Sequence, residues 1–134
     1  MSDVATRLRS FLLSDAAITR EVGDRVHQAH VPESSEGDYV YFQRSTIEPL
    51  RTLDASNIDP LYTSFDVEII SRDLEQCQFI ASIVRAKLDC YRGAFDDATV
   101  KGIFVEDHND DYIPRGTYAD EGVHVAAMSV QIYS

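Results

Sequence analysis

The sequence predicts a single α+β domain, residues 1–134, with a mostly antiparallel sheet of four to five strands packed by one long helix and by N-terminal helices. Three observations predict it. A length of 134 residues fits one domain. Hydrophobic residues make up 44% of the chain, enough to build a core. Segments with helical spacing precede and separate segments with the alternation of strands, and no internal repeat or Gly/Ser linker divides them.

The chain opens with a predicted helix. Apolar residues at Val4, Leu8, Phe11 and Leu12 follow the spacing of one helical face, and Asp3 can cap the first turn. That apolar face needs a partner, so we expect it to be buried against the rest of the domain.

A second, shorter helix and a short extended segment follow. Ser14 and Asp15 can begin the helix, Ile18 and Val22 lie four residues apart on one face, and Gly23 is typical of a left-handed stop. Residues 25–31 are predicted to be extended, and Pro32 with the polar stretch after it ends them.

Four further segments are predicted to be strands because they are rich in aromatic and β-branched residues or alternate with a period of two. The alternation indicates a sheet with one buried and one partly exposed face. The segments are residues 38–44, 63–71, 99–107 and 123–133.

The longest helix is predicted at about 73–91. Asp73 can cap it, Gln76 three residues later resembles the second half of a capping box, and Gly93 is expected to end it. Phe79 and Ile83 are expected to widen its apolar stripe enough to cover a sheet. The stripe consists of Cys77, Ile80, Val84, Leu88 and Tyr91.

Residues 45–62 are predicted to be a long excursion between two strands, since Pro49 and Pro60 forbid a long helix and the segment has little periodicity. The segment holds more apolar side chains than a solvated loop should expose, so we expect another protein surface to cover it. The alternative is that it folds back as a hairpin or a satellite cluster on its own domain. The expected contact residues are Leu50, Arg51, Leu53 and Ile58.

The charge excludes one large class of functions. Twelve basic against 23 acidic residues give a net charge of -11, which repels nucleic-acid phosphates. No apolar run approaches the roughly 20 residues that cross a bilayer, and the acidic start of the chain does not resemble a secretory signal. We therefore expect folding in the cytoplasm and no membrane contact.

Candidate metal sites in the sequence are weak. His27 and His30 lie three apart in a segment that is expected to be extended, where their side chains diverge. Residues 107–111 place oxygen ligands at alternate positions as a calcium loop does. The glycine and the bidentate glutamate that such a loop needs are replaced by Tyr112 and Tyr118, so 108–122 is predicted to be a solvated acidic loop.

Enzyme chemistry is not predicted either. Cys77 and Cys90 lie too far apart along one helix to form a disulfide and are expected to be small buried hydrophobic residues. No nucleophile motif and no phosphate-binding glycine loop is present. The expectation is therefore a protein that is not an enzyme and has no cofactor and no metal.

The order of these segments resembles the tail completion, or tail terminator, proteins of long-tailed bacteriophages and phage-derived particles. The resemblance covers nearly the whole chain, and no single motif in it is catalytic. It lies in residues 8–18, in 22–26 ahead of Pro32, in the strand 39–42, in the strand 62–70 that runs into the helix at Asp73, and in 112–114 followed by a final alternating strand.

The resemblance implies a structural virion protein at the head-proximal end of the tail, assembled in the host cytoplasm as a ring, usually a hexamer. Such a ring ends the tail tube and offers a surface to the head-tail connector or stopper protein. DNA would pass through its lumen without specific binding, which an acidic wall permits. The alternative left open is a small cytoplasmic enzyme, or another adaptor or binding module of unknown ligand.

Overall fold

The computed structural model describes residues 4–29, 37–51, 57–96, 98–113 and 122–133, and of 46–51 and 57–62 it describes the backbone. Three helices and six strands lie within these ranges. The helices are α1 (Val4–Leu13), α2 (Ala16–Val22) and α3 (Leu74–Leu88), and the strands are β1 (Val26–Gln28), β2 (Tyr39–Arg51), β3 (Asn57–Ser71), β4 (Tyr91–Phe95), β5 (Ala98–Ile113) and β6 (Val123–Tyr133).

The six strands form one sheet in the order β1-β2-β3-β6-β5-β4. Every neighbouring pair is antiparallel except β1 and β2, which are parallel. The α+β class with a mostly antiparallel sheet is therefore confirmed. The expected count of four to five strands is wrong: β1 lies within residues 25–31, which were predicted to be extended, but β4 was not predicted.

Helix α1 contacts both edge strands, β1 and β4, so the sheet curls around it. Its apolar face is buried as predicted. The Arg9 side chain donates from Nε to the Val26 carbonyl oxygen at 2.8 Å, which ties the helix to β1. On the other side the Phe11 ring packs on Tyr91 and Phe95 of β4, with ring centroids 4.7 and 4.9 Å apart. Helix α1 therefore closes the gap between the two ends of the sheet.

Helix α2 follows its sequence signals. The Asp15 carboxylate accepts from the backbone N–H groups of Ala17 and Ile18, which satisfies two of the donors that a helix start leaves unpaired. Gly23 ends the helix with a φ of 61° and donates its N–H to Thr19, although its ψ of -129° lies outside the left-handed helical region. The buried face is formed by Ile18 and Val22, as predicted.

Helix α3 is shorter than the predicted 73–91. It ends at Leu88 because Asp89 is extended and the Cys90 backbone has a positive φ of 61°. The Cys90 N–H then bonds to the Ile103 carbonyl oxygen of β5. Tyr91 and Gly93 consequently belong to β4, so Gly93 does not end the helix and Tyr91 does not continue its stripe. Pairing with β5 overrides the helical periodicity of the sequence here.

The apolar stripe of α3 packs on one face of the sheet and forms the core with it. Cys77, Ile80, Val84 and Leu88 are buried as predicted, and Ile83 packs at the margin. Phe79 does not widen the stripe as expected, because it points to solvent and is 49% exposed. The sheet contributes Val40, Phe42, Phe65, Val67, Ile69, Ile103, Ala126, Met128, Val130 and Ile132 to the same core.

The N-cap of α3 forms only half of the expected capping box. The Asp73 carboxylate accepts from the Gln76 N–H at 3.1 Å, but the Gln76 side chain donates instead to the Glu21 carboxylate at 2.7 Å and so ties α3 to α2. The cap therefore satisfies one backbone donor at the start of the helix. The second bond of a capping box, from the Gln76 side chain back to the cap, is replaced by the contact between α3 and α2.

We expect Asp73→Ala to lower the free energy of unfolding by about 1 kcal/mol, because the Gln76 N–H loses its acceptor at the start of α3. Equilibrium urea unfolding followed by circular dichroism measures the change. The control is Asp73→Asn, which keeps a side-chain oxygen at the cap and should stay near the wild type. Equal losses in both variants would mean that the carboxylate charge, and not the cap bond, matters.

Candidate assembly surface

Strands β2 and β3 extend past the rest of the sheet as a two-stranded arm. The pairing of β3 with β6 ends at Tyr62 opposite Tyr133, whereas the pairing of β3 with β2 runs on to Asn57 opposite Arg51. Five residues of β3 thus lie beyond the last β6 pair, a reach of roughly 17 Å at about 3.3 Å per residue. The prediction of an excursion without strands is wrong for residues 46–51 and 57–62, which pair as strands, while residues 52–56 lie outside the described residues.

The arm was not predicted from the sequence because it contains two prolines. The register shifts between Pro49 and Leu50, where Pro49 pairs with Leu61 and Leu50 with Ile58. Asp59 and Pro60 are therefore skipped by the ladder. Proline lacks a backbone donor and is tolerated in a strand at such a bulge, but in a sequence it argues against a strand.

The arm brings together three of the four predicted contact residues. Leu50 and Ile58 are cross-strand partners, and Arg51 with its partner Asn57 is the next pair along the ladder. Leu53 lies outside the described residues. Whether these residues contact a neighbouring subunit stays a prediction.

The face of the sheet away from the described helices carries a second, smaller apolar cluster. Ile70, Val123 and Val125 are buried there. Tyr39 and Tyr41 of β2 pack against this cluster. Alternate residues of a strand point to opposite faces, so these tyrosines lie on the face opposite to the core residues Val40 and Phe42. Apolar side chains therefore stabilise both faces of the sheet.

Two carboxylates follow one another on this outer face, Asp66 and Glu68 of β3. Partial burial, and to a lesser degree repulsion from Asp66, raise the pKa of Glu68 above its ordinary value. A raised pKa in the folded state means that the folded protein binds the proton more tightly than the unfolded chain. Stability is therefore lost as the pH rises from the unfolded pKa through the folded one, and the cost of the charged form persists above that window.

We expect Glu68→Gln to stabilise the protein relative to the wild type at pH 7 more than at pH 4, because the amide removes the cost of the partly buried charge. Urea unfolding of both proteins across this pH range measures the difference. A difference that is constant with pH, or that grows toward low pH, would contradict this account of Glu68.

The residues considered for metal binding are not brought together. Within the ranges that the structure covers, no group of three or more His, Cys, Asp or Glu residues could hold a metal ion. His27 lies in β1 with its ring 5.8 Å from that of Tyr39, and His30 is outside the described residues. The calcium-like segment is not a loop: residues 107–113 continue β5 past a bulge at Asp107, where φ is 52°. The rest of the predicted acidic loop, 114–121, is outside the described residues.

The two cysteines differ in environment. Cys77 is buried in α3, and its desolvation raises the pKa of the thiol to about 11, which keeps it protonated and unreactive at neutral pH. Cys90 is exposed just after the helix, so the expectation that it is buried is wrong. Both are free thiols. Among the described residues, neither sulfur atom hydrogen-bonds to a histidine side chain that could activate it as a nucleophile.

Several exposed apolar side chains were not predicted as surface features. They are Leu74 and Phe79 on α3, and Phe104 and Tyr112 on β5. One signal was available: Ile103, Phe104 and Val105 are three consecutive apolar residues of a strand, and alternation must turn one of them away from the core. For Phe79 the sequence held no such signal, because helical spacing also allows it to lie at the margin of the stripe.

The described helices include none long and apolar enough to cross a membrane. The described surface carries a strand arm, exposed aromatic residues and an acidic run on β5. The described residues form a small α+β domain with a six-stranded sheet.

The family assignment is direct. The sequence profile of the tail completion protein gp17 family matches residues 6–132, nearly the whole chain. The protein belongs to this family, as its sequence resemblance indicated, and is a structural protein of phage-type tails.

Solved structures share its fold. A chain in the virion of a native gene transfer agent (GTA) particle superposes with a TM-score of 0.66 at 16% sequence identity, over 95% of this chain and 92% of that one. A second solved chain superposes with a TM-score of 0.54 at 12% identity, over 100% of this chain and 96% of that one. No curated protein matches the sequence. At such low identities these similarities establish the fold alone.

Proposed function

We propose that this protein is a ring-forming subunit that terminates the tail tube at its head-proximal end and joins it to the head-tail connector. The observation that carries the proposal is the match of the tail completion family to residues 6–132. The fold similarity to a chain of the gene transfer agent virion supports the same setting. In this role the protein would act through its contacts with other tail proteins and would need no cofactor, metal or catalytic residue.

The arm of β2 and β3 is a candidate contact surface for ring assembly. A two-stranded ribbon that leaves its own sheet is at best marginally stable alone in water, so a covering surface would stabilise it. By sequence the arm holds Ile47, Leu50, Ile58 and Leu61. We infer that Leu50, Arg51, Leu53 and Ile58 contact the neighbouring copy or the tail tube.

The acidic charge is consistent with a ring through which DNA passes. A chain of net charge -11 repels phosphate, so DNA can slide through the lumen without being held. The same charge, multiplied around a hexamer, opposes assembly of the free protein. Contact with the tail tube, or screening by cations, would offset that repulsion and favour ring formation at the end of the tube.

The test changes the arm and measures tail length. We expect the triple variant Leu50→Ser, Leu53→Ser, Ile58→Ser to stay folded by circular dichroism but to leave overlong tail tubes without heads, because its apolar contact surface is gone. Electron microscopy of tubes assembled with each protein gives the length distribution. The matched control changes polar residues of the same segment, Thr52→Ala, Ser56→Ala and Asn57→Ala, and should end tubes normally.

Two outcomes would overturn parts of this proposal. If the triple variant ends tubes at the normal length, the arm is not the assembly surface. If the wild-type protein itself never binds or ends tail tubes, the role of tail terminator is wrong.

A further inference from the structure

We propose that the sheet holds an open position for one more strand, and that an extended segment of the tail tube protein fills it. This position, the strand notch, is the space beyond the end of β6, between residues 57–61 of β3 and residues 98–101 of β5. The inference rests on the proposed contact with the tail tube.

The register of the sheet defines the strand notch. Strand β6 lies between β3 and β5, and its residue Tyr133 pairs with Tyr62 on one side and with Gly102 on the other. Both neighbouring strands reach past this point, since β3 begins at Asn57 and β5 begins at Ala98. Among the described residues, no strand takes the place of β6 between these two stretches.

The dimensions of the strand notch suit a single extended segment. Adjacent strands lie about 4.8 Å apart, so β3 and β5 are about 9.6 Å apart where β6 separates them, and the notch opens at the width of one strand. The stretch of β5 that borders it, residues 98–101, is roughly 13 Å long at about 3.3 Å per residue. A helix, about 10 Å across with its side chains, is too wide for this position.

On the β5 side, the open edge of the strand is the one that faces the notch. Residues 98–100 pair with β4, where Ala98 lies opposite Phe95 and Val100 lies opposite Gly93. The ladder with β6 starts only at Gly102. A strand has two edges, so the edge of 98–101 away from β4 is available for pairing with another strand.

On the β3 side, the register shows which backbone groups point into the notch. The Val40 N–H donates to the Arg25 carbonyl oxygen at 3.0 Å, so the backbone groups of Val40 point away from β3. Its partner Ile69 therefore points its own groups away from β2, toward β6. Every second residue of β3 does the same, which leads from Ile69 to Leu61, because the bulge after Arg44 lies in β2. The N–H and C=O of Leu61 consequently face the notch.

The strand notch lies at the margin of the main core, which specifies the chemistry of its occupant. Ile132 of β6 is fully buried and Val100 of β5 is 5% exposed, and both belong to that core. A strand that continues the line of β6 would turn every second side chain to the same face. The occupant is therefore an extended segment with apolar residues at alternate positions and without proline at the positions that pair.

The tail tube protein is a better source of this segment than a second copy of the chain. All six described strands are already paired within their own sheet, so the described part of a second copy has no unpaired strand to offer. The arm forms one side of the notch, and the proposed function brings the tail tube to the arm. Addition of a strand to an open sheet edge is a common way to bind an extended peptide.

Hydrogen exchange in the tube-bound protein tests the proposal directly. We expect the backbone amides of Leu61 and of residues 98–101 that face the notch to exchange about tenfold more slowly, or slower still, when the wild type is bound to purified tail tubes. The reason is that new ladder hydrogen bonds protect them. The amides of β1, three strands away from β6 in the sheet, are the internal control and should exchange as in the free protein.

A variant that fills the strand notch from its own chain gives a second, independent measurement. Four residues, Thr-Val-Thr-Val, are added after Ser134, where they continue the line of β6. We expect the same amides to be protected without tail tubes, since the tethered strand pairs at high effective concentration, and we expect overlong tubes because the notch is occupied. The matched control adds Thr-Pro-Thr-Pro, which lacks every second N–H, and should end tubes like the wild type.

Three results would overturn the inference. Unchanged exchange at Leu61 and 98–101 in the tube-bound wild type, or normal ending of tubes by the Thr-Val-Thr-Val variant, would show that the tube protein does not use the notch. Protection of these amides in concentrated wild type without tubes would show that another copy fills it. If the wild type ends tubes in these experiments, the proposed function stands and only the notch is wrong. If the wild type neither binds nor ends tubes, the proposed function fails, and the assigned occupant fails with it.

Discussion

Leu88→Ala is expected to lower the free energy of unfolding by about 2–5 kcal/mol. Leu88 is fully buried in the last turn of α3, within the core that this helix forms with the sheet. Truncation to alanine removes buried methyl groups and leaves a cavity, because the close-packed surroundings relax only in part. Urea unfolding monitored by circular dichroism measures the loss, and the slope of the transition should stay constant.

The control for Leu88 lies on the same helix. Phe79→Ala removes a larger side chain, yet Phe79 is 49% exposed, so we expect a change within about 0.5 kcal/mol in the monomer. Leu88→Ala unfolding at the same urea concentration as the wild type would show that α3 is peripheral to the core.

Phe65→Ala is expected to cost about 3–5 kcal/mol. Phe65 is fully buried near the centre of β3, and its ring meets that of Phe42 edge to face with centroids 5.8 Å apart. The Arg44 guanidinium lies over the same ring at 5.7 Å from its centroid, which adds a cation–π contact. Alanine would remove the aromatic pair and the support for Arg44 at once, as well as leaving a cavity.

Phe104→Ala provides the comparison on β5. Phe104 is 44% exposed on the outer side of that strand, where its ring meets Tyr133 edge to face, so its truncation should cost far less than that of Phe65. Similar losses in the two variants, measured by the same urea unfolding, would contradict the assignment of Phe65 to the core and of Phe104 to the surface.

Elements whose sequence matches their own local physics were predicted well. The stripe of α3 and the cap at Asp73 are helical signals that act within a few residues. The alternation of β6 is equally local: Ala126, Met128, Val130 and Ile132 face the core, and the residues between them are half exposed. A short-range pattern of this kind needs no knowledge of the partner, because burying one face is enough to specify it.

Elements that depend on a partner strand were missed. In the sequence, the pattern at β4 predicts the end of a helix. Its extended conformation depends on pairing with β5 and on the packing of Tyr91 on Phe11. Asn109, Asp110 and Asp111 have low strand propensity and are extended because they pair with β6. A bulge at Asp107 shifts the register of β5 against β6. The sequence shows no regular period here from which this shift could have been predicted.

The candidate surfaces divide in the same way. Their composition was visible in the sequence: an apolar stretch with two prolines, an acidic run, and a net charge of -11. Their positions were not, since only the ladder makes an arm of residues 46–51 and 57–62 and only the packing of α3 turns Phe79 outward.

By itself the sequence determined the α+β class, the core faces of α1, α3, β3 and β6, and the resemblance to tail completion proteins that the family match confirmed. These follow from periodicity, capping and the order of segments, which are properties of neighbouring residues. Only the tertiary structure decided the six-stranded order, the arm beyond Tyr62 and the side of α3 on which Phe79 lies. Strand pairing joins residues far apart in the chain, and its hydrogen bonds are made by backbone groups that are alike in every residue but proline, so the pairing is decided when the chain packs.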